Sequence, residues 1–219
     1  MILLPRTSPS NSRLSNPRPS NLLLWPQWIA VVLLLLSISV TVSSEEKPAA
    51  DPALLALLKQ AAAEANSFGD QYDAEVWLVE KDPVLARLVK DPVQRISLLK
   101  LIHSEASRAG LSPEIVLALI EVESHFDRYA VSSAGAQGMM QVMPFWKNEI
   151  GRPDDNLTLN KTNFAYGCRI LQFYLQREKG DLHKGLARYN GSVGRRVYSD
   201  KVYRAWNDHW RTEPLDWGD

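Results

Sequence analysis

Apolar residues recur every three or four positions over most of this chain, which is the spacing of an amphipathic α-helix. Runs of this kind predict helices at residues 53–67, 83–89, 92–109, 113–124, 144–150, 162–179, 183–189 and 199–210. No convincing run alternates apolar and polar residues as a half-buried strand does, and no internal repeat is present. A short hairpin within 125–140 or 190–198 is left open. The pattern therefore predicts a mainly α fold with, at most, a very short hairpin.

Proline and glycine mark the ends of these predicted helices. Four pairs combine an N-capping side chain with a proline at the first helical position, where no backbone N–H is needed. They are Asp51-Pro52, Asp82-Pro83, Asp91-Pro92 and Ser112-Pro113. Gly110 and Gly180 stand where left-handed C-terminal caps belong. We therefore expect helices to begin and end at these residues.

The first 44 residues have the composition of a targeting segment. Residues 1–21 are rich in Pro, Ser and Asn, with three arginines and no acid. The apolar run Trp28–Val42 follows; it is 15 residues long, which suits a signal peptide and is shorter than the roughly 20 residues that span a bilayer. If the run is extended back to residue 22, an inner-membrane anchor at residues 22–42 becomes possible. Residues 1–44 are thus a signal peptide or a membrane anchor, and either predicts export of the remainder to the periplasm.

The remainder divides into four stretches by composition and pattern. We expect a linker at 45–52, a helical N-terminal extension at 53–90, a catalytic-type domain at 91–211 and a tail at 212–219. The formal net charge of the whole chain is zero, so the basic surplus of a nucleic-acid-binding protein is missing and no nucleic-acid partner is predicted. Cys168 is the sole cysteine, which rules out an intrachain disulfide, and it is expected to pack as a small apolar side chain. The four histidines show no ligand pairing, so neither a metal nor a cofactor is predicted.

The helix predicted from Pro113 carries three acids with different expected surroundings. Its apolar face contains Val116, Leu119 and Ile120. Glu123 continues that face, where lost hydration would raise the pKa of its carboxyl group, as a general acid near neutral pH requires. A structural carboxylate that caps a helix or forms a core ion pair is the alternative. Glu121 is predicted to be a solvated surface charge, and Glu114 to interact with the helix dipole.

The segment that follows this helix consists of small residues and amides. Residues 130–138 are nearly all Ala, Ser and Gly, which allow the backbone to approach a ligand closely. Met139, Met140 and Gln141 follow, and the Gln141 amide could orient a carboxylate or a sugar N-acetyl group. Taken alone, the segment also fits a tight structural turn with methionines in the core.

Three motifs occur in a fixed order along the chain. They are Glu123-Ser124, then Gly138-Met139-Met140-Gln141 with Val142-Met143-Pro144, and finally Ala187-Arg188-Tyr189-Asn190-Gly191. Over about residues 95–210 the chain thereby resembles lytic transglycosylases of the soluble-lytic-transglycosylase (SLT) type, whose pattern is Glu-Ser, Gly-Leu-Met-Gln and Ala-x-Tyr-Asn. Met139 stands in place of leucine, a swap that conserves volume. The resemblance implies a lysozyme-like (goose-type) α-helical fold and cleavage of peptidoglycan glycan strands.

The resemblance also implies roles for residues of the first two motifs. Glu123 is similar to the family's catalytic acid and base, and Ser124 to a polar residue that faces the leaving sugar. Met140 and Gln141 are similar to substrate-binding residues in the groove beside the acid.

In the third motif, Tyr189 resembles the tyrosine that is hydrogen-bonded to the catalytic carboxylate. Asn190 resembles its neighbour in the substrate groove. Tyr189-Asn190-Gly191 also fits a turn that ends a helix, because Asn-Gly favours such turns; the two interpretations are compatible.

The absence of a compelling second acid near these motifs indicates a particular reaction. Ordinary glycosidases use two carboxylates, but Asp127 lies in a predicted turn, and Asp154 and Asp155 in a predicted loop. One carboxylate suffices if N-acetylmuramic acid (MurNAc) supplies its own nucleophile, its 6-hydroxyl, and forms a 1,6-anhydro ring. The resemblance therefore implies a lyase that cleaves the β-1,4 bond between MurNAc and N-acetylglucosamine (GlcNAc). A lysozyme-type hydrolase of the same fold, and a non-catalytic peptidoglycan-binding or secretion-apparatus scaffold, are the alternatives.

Several aromatic and histidine side chains near the motifs have predicted packing roles. Trp206 and Trp210 are four residues apart on a predicted helix and are expected in the core or an interface. Phe145-Trp146 could form a wall of the groove, although core packing is the alternative. His125 is expected at the surface or in packing.

Overall fold

Eight α-helices and one π-helical segment make up the part of the chain that the computed structural model describes, residues 52–63 and 66–212. In chain order they are α1 (Pro52–Ala63), α2 (Gln71–Leu85), α3 (Pro92–Arg108), α4 (Pro113–Ser124), α5 (Trp146–Ile150), α6 (Asn160–Arg177), α7 (Leu182–Asn190), α8 (Val197–Ala205) and the π-helical segment (Trp206–Trp210). The segment between α4 and α5 contributes only isolated bridges, in which Gln137 pairs antiparallel with Val131 and Val142. The mainly α prediction is confirmed.

Two sequence predictions lie outside the described residues. They are the signal peptide or anchor at 1–44 and the tail at 212–219, of which only the first residue is described. The linker predicted at 45–52 also lies outside, except for Pro52. Among the described helices, none combines the length and apolar character that crossing a bilayer requires.

Local capping residues set several helix boundaries where they were predicted. The Asp91 carboxylate accepts from Val93 N at 3.1 Å, and Ser112 Oγ accepts from Ile115 N at 3.3 Å. Gly110 and Gly180 adopt positive φ angles of 65° and 85° after α3 and α6. The two side chains accept backbone N–H groups that have no partner within the helix, and the two glycines let the chain turn away after the last helical residues. Because both effects are local, the sequence alone locates these boundaries.

The predicted helix at 83–89 is wrong, because Asp82-Pro83 does not start a helix. The true N-cap is Asp70, whose Oδ1 accepts from Asp73 N at 2.8 Å, and Pro83 lies inside the last turn of α2. The Asp82 carboxylate binds Arg95 instead, through hydrogen bonds of 2.7 and 3.0 Å. This buried ion pair joins α2 to α3, so the capping motif is overridden by a tertiary contact.

Helix α4 lies at the centre of the core. Residues 116–120 are all 0% exposed, and a helix that is apolar on every side is buried on every side. It packs against α3, α8 and the π-helical segment, while α6 packs against α3 and α7. Contacts with three other elements therefore fix the position of α4.

The N-terminal extension is part of the same core. Helices α1 and α2 pack on α3, and Lys81 of α2 is only 1% exposed. Its ammonium group donates to the Trp210 carbonyl at 2.8 Å and to Thr212 Oγ1 at 2.9 Å. The extension therefore anchors the end of the π-helical segment, a role that the sequence left open.

Candidate active site

One carboxylate, that of Glu123, lies beside a cleft of about 460 Å³. Glu123 is half-buried in the last turn of α4, and Tyr198 Oη donates to its Oε1 at 2.5 Å. The cleft is also lined by Asn190, Arg195 and Lys201. Of the described residues that line it, Glu123 alone is acidic. The sequence predicted that Glu123 continues the buried face of α4; in the structure its side chain is half-buried and lines the cleft.

The surroundings of Glu123 change its acidity. Burial raises the pKa of the Glu123 carboxyl group from 4.5 to about 7, and the hydrogen bond from Tyr198 acts in the opposite direction because it stabilises the ionised form. Near neutral pH both protonation states are populated, so the group can donate a proton and then accept one.

A strained turn follows Glu123 and reverses the chain. His125 and Phe126 have positive φ angles of 51° and 65°, a conformation that costs about 1–3 kcal/mol for each non-glycine residue. His125 is exposed and caps α4 by donating its N–H to the Glu121 carbonyl, whereas Phe126 is buried. Ser124 Oγ then donates to the Met139 carbonyl at 2.8 Å. The Ser124 hydroxyl therefore ties the returning loop to α4, a contact that the sequence did not predict.

The loop of small residues is closed by Gln141. Its side-chain amide donates to the carbonyls of Ala130 and Gly138 at 3.1 and 2.9 Å. Met140, predicted in the groove, is 0% exposed, and its sulfur lies against Gly167 of α6. The alternative of a structural turn with core methionines is what the structure shows for Met140, because α6 covers its side chain.

Asn163 of α6 holds this loop and was missed by the sequence reasoning. It is 1% exposed. Its Oδ1 accepts from Met140 N at 2.7 Å, and its Nδ2 donates to the carbonyls of Gln137 and Leu157, both at 2.9 Å. The sequence does place Asn163 on the apolar side of α6, four positions before Gly167. A buried amide needs hydrogen-bond partners, so this position could have indicated a structural role.

The predicted hydrogen bond between Tyr189 and the Glu123 carboxylate is wrong. Tyr189 Oη donates to the Met140 carbonyl at 2.7 Å, and Tyr198 makes the bond to Glu123 instead. Burial raises the pKa of both phenols well above the usual value, so both stay protonated as donors. Tyr198 belongs to the buried face of α8 with Val202. Its spacing indicates only core packing, so its contact with Glu123 was not predicted.

Asn190 ends α7, as the interpretation of its motif as a helix-ending turn predicted. It is the exposed last residue of α7 and lines the Glu123 cleft. Gly191 follows in a left-handed conformation (φ 76°) that ends the helix.

Glu121 is not the solvated surface charge that was predicted. Its side chain is 15% exposed and accepts from His209 Nδ1 at 2.9 Å and from Trp210 Nε1 at 2.5 Å. The buried indole of Trp210 confirms its predicted core role. Because Trp210 is also bound by Lys81, the π-helical segment connects the N-terminal extension to α4.

Two further predicted roles concern Glu114 and Cys168. Glu114 stands in the first turn of α4 as expected, and its carboxylate also accepts from Trp77 Nε1 at 2.6 Å and Ser112 Oγ at 2.7 Å. Cys168 is buried, which confirms its packing role, and burial raises the pKa of its thiol to about 12.

Several known proteins are similar to this chain. Membrane-bound lytic murein transglycosylase C of Histophilus somni is 40% identical over 155 residues, covering 56% of this chain and 42% of that protein. The protein of the same name from Actinobacillus pleuropneumoniae serotype 5b is 50% identical over 46 residues, covering 21% of this chain and 13% of that protein. A solved structure of an inactive mutant of the lytic transglycosylase Slt from Pseudomonas aeruginosa has a TM-score of 0.40 and 22% identity, covering 71% of this chain and 33% of that one.

This chain thus spans well under two thirds of the length of the curated relatives that it matches. The family model described as "Transglycosylase SLT domain" matches residues 100–209, half of the chain. This range includes Glu123 and Tyr198 together with the loop between α4 and α5. The chain therefore belongs to the transglycosylase SLT domain family.

Proposed function

We propose that this protein is a peptidoglycan lytic transglycosylase that cleaves the β-1,4 bond between MurNAc and GlcNAc and leaves a 1,6-anhydro-MurNAc end. The observation that carries the proposal is a single carboxylate, Glu123, whose burial raises its pKa to about 7 at the edge of a cleft. The family's name and those of the relatives support this activity. We also propose that the enzyme works on glycan strands in the periplasm, after cleavage of residues 1–44 or anchored by residues 22–42.

The geometry supports an acid-then-base mechanism without a protein nucleophile. Protonated Glu123 donates its proton to the glycosidic oxygen as the bond from the MurNAc anomeric carbon to that oxygen breaks. The N-acetyl oxygen of MurNAc stabilises the electron-poor carbon. Ionised Glu123, stabilised by the Tyr198 hydroxyl, then accepts the proton of the 6-hydroxyl as its oxygen bonds to that carbon. Glu123 returns to its protonated state, and no water is consumed.

The surroundings of the other acids favour this reaction over hydrolysis. A hydrolase would need a second carboxylate facing the substrate. Asp127 is exposed and accepts the N–H of Tyr129 at 2.8 Å, and Asp155 accepts from Tyr166 Oη at 2.5 Å. Neither is among the residues that line the cleft. The raised pKa of Glu123 favours catalysis over a scaffold role, which has no need of a buried carboxyl group in a groove.

Digestion of purified sacculi tests the proposed reaction. We expect the full-length protein to release muropeptides lighter by one water than the products of a hydrolase, because the 6-hydroxyl replaces water as nucleophile. Mass spectrometry of the soluble products measures this difference. Products with reducing MurNAc ends would replace the proposal with a lysozyme-type hydrolase, and binding to sacculi without release would indicate a scaffold.

Replacement of Tyr198 with Phe is expected to shift the pH dependence of the reaction. The Tyr198 hydrogen bond lowers the pKa of Glu123, so its loss raises that pKa further. Because the protonated form starts the reaction, activity falls as pH rises through this pKa. The alkaline limb of the kcat/KM profile should therefore move to higher pH in the variant.

Tyr189→Phe is the matched control, since Tyr189 donates to the Met140 carbonyl. Its alkaline limb should stay where the wild type has it, although stability should fall by about 1–2 kcal/mol for the unpaired carbonyl. A shift in the Tyr189 variant alone would contradict the assignment of Tyr198.

A further inference from the structure

We propose that Lys81 of α2 is a positioning residue for the reaction, and that it acts through Trp210, which fixes the turn that carries Glu123. The inference rests on the proposed function, because it names what holds the reacting carboxylate in place. The described residues that line the Glu123 cleft all belong to α4, α7, α8 and the turn between α7 and α8. The N-terminal extension would therefore act on the reaction without touching the substrate.

Trp210 contacts the chain on both sides of Glu123. Its indole Nε1 donates to the Glu121 carboxylate at 2.5 Å, two residues before the acid. Its ring packs on that of Phe126, three residues after the acid, with 5.8 Å between the ring centroids. Glu121 is also tied to the turn, because its carbonyl accepts the N–H of His125 at 3.1 Å. Whatever fixes Trp210 therefore fixes the backbone that carries Glu123.

The turn after Glu123 depends on such contacts because its backbone is strained. His125 and Phe126 both have positive φ angles, which non-glycine residues keep only where the surrounding structure imposes them. If these residues relaxed to negative φ, the end of α4 would move with them. The contacts of Trp210 oppose that relaxation.

Lys81 holds Trp210 from the other side. It is the only lysine that is buried among the described residues, with 1% of its surface exposed. Its ammonium group donates to the Trp210 carbonyl at 2.8 Å, to Thr212 Oγ1 at 2.9 Å and to Glu80 Oε1 at 2.7 Å. These bonds use all three of its N–H groups. The Trp210 carbonyl stands at the end of the π-helical segment, where backbone carbonyls lack partners within the helix, so Lys81 supplies the donor.

The hydrogen bonds of Lys81 give direction rather than stability alone. Burying an ammonium group is costly, and well-packed apolar side chains often stabilise a core as well as buried charges do. Three directional bonds, in contrast, set where the end of the π-helical segment lies relative to α2. Trp77 of α2 also donates its Nε1 to Glu114 Oε1 at 2.6 Å. Helix α2 therefore holds the first turn of α4 directly and the last turn through Trp210.

Lys81→Met tests the inference, because it keeps an unbranched side chain and removes the three hydrogen bonds. On soluble glycan strands we expect kcat to fall about tenfold or more while KM stays within about twofold, since a small misplacement of a reacting group can cost about 10²-fold in rate and the cleft keeps its lining. The alkaline limb of the kcat/KM profile should move to lower pH. A released turn admits water to Glu123, and burial is what raises the pKa of that carboxyl group.

The direction of this shift identifies its cause. The titratable and charged groups that face Glu123 from the elements around it are Tyr189 of α7, Arg195 of the following turn, and Tyr198 and Lys201 of α8. On the π-helical segment, His209 faces Glu121 instead. Lys81→Met changes none of these groups. Tyr198→Phe moves the same limb to higher pH, so the two variants differ in sign.

Arg95→Met is the matched control, because it also breaks buried polar contacts of α2. Arg95 binds Asp82, the residue after Lys81, and joins α2 to α3 rather than to the π-helical segment. Urea unfolding should show that this variant is less stable than wild type. Its kcat and its alkaline limb, measured on folded protein, should match those of the wild type. Equal changes in the Arg95 and Lys81 variants would mean that Lys81 only stabilises the fold, and would overturn the inference.

Trp210→Phe tests the next contact in the same chain of interactions. It keeps a ring against Phe126 and removes only the N–H that binds Glu121. Its kcat and alkaline limb should change in the same direction as in Lys81→Met, so this variant decides the question if Lys81→Met does not fold. A wild-type kcat and an unmoved limb in Trp210→Phe would contradict the positioning role.

Direct titration of Glu123 separates this inference from the proposed reaction. Carbon-13 NMR of its carboxyl group, identified by the signal that Glu123→Gln lacks, gives the pKa without any substrate. If the pKa is lower in Lys81→Met and Trp210→Phe but wild-type protein releases no anhydro products, the proposed reaction fails and the positioning role stands. If anhydro products form and the pKa is the same in all three proteins, the positioning role fails alone.

Discussion

Replacing Glu123 with Gln is expected to lower the release of anhydro-muropeptides by about 10³-fold or more while making the protein more stable above pH 7. A carboxamide fills nearly the same space but cannot transfer a proton, and a positioned acid–base group contributes about 10²–10⁴-fold to a rate. Here one residue serves both proton transfers, so the effect should lie at the upper end. Mass spectrometry of digested sacculi measures the loss of activity.

The gain in stability follows from the raised pKa of Glu123. Its value of about 7 exceeds the usual 4.5, so the folded state holds the proton more tightly than the unfolded state. The cost of an ionised Glu123 is absent below about pH 4.5, grows between pH 4.5 and 7, and is complete above. At about 1.4 kcal/mol per pKa unit, Glu123→Gln should gain up to about 3 kcal/mol at pH 8 and little at pH 4.

Urea unfolding at these two pH values measures the gain, and Glu114→Gln is the control at the other end of α4. Hydrogen bonds from Ser112 and Trp77 oppose the effect of burial and hold the pKa of Glu114 below its usual value. Ionised Glu114 therefore stabilises the folded state at pH values above its usual pKa, and the Glu114→Gln variant should lose stability at pH 8. A Glu123→Gln protein that kept full activity, or that was less stable than wild type at pH 8, would remove Glu123 from its assigned role.

Replacing Gly138 with Ala is expected to destabilise the protein by at least about 3 kcal/mol. The added Cβ would come within 2.4 Å of both Asn163 Nδ2 and the Leu157 carbonyl, and φ is already 73°. Left-handed strain costs about 1–3 kcal/mol for a non-glycine residue, and displacing Asn163 leaves buried backbone groups without partners, at about 1–3 kcal/mol each. Urea unfolding measures the effect.

Gly135→Ala separates the clash from the backbone strain. Gly135 also has a positive φ, 87°, but an added Cβ would meet nothing within 4 Å. It should cost only the strain, at the low end of about 1–3 kcal/mol. Equal costs at the two glycines would mean that Asn163 does not hold the loop beside Glu123.

Local features of the chain predicted most of the helix boundaries correctly. Asp91 and Ser112 cap α3 and α4 through bonds to residues two or three positions away, so their effect is contained in the local sequence. Glu123 continues the apolar spacing of α4, which predicted a place on the buried face of the helix, and the structure shows its side chain half-buried. Asp82-Pro83 failed as a capping signal because Arg95, on another helix, binds that carboxylate.

The sequence by itself determined a mainly α fold, an acid at the end of a buried helix, and the motifs that mark the SLT domain family. These depend on contacts within one or two helical turns, which periodicity and capping report. Only the tertiary structure decided that Tyr198 binds Glu123, across 75 residues, and that Trp210 binds Glu121, across 89 residues. Those partners meet because α4 packs against α8 and the π-helical segment. The spacing of apolar residues shows which side of a helix is buried, but which side chains face one another across the interface depends on how the helices pack.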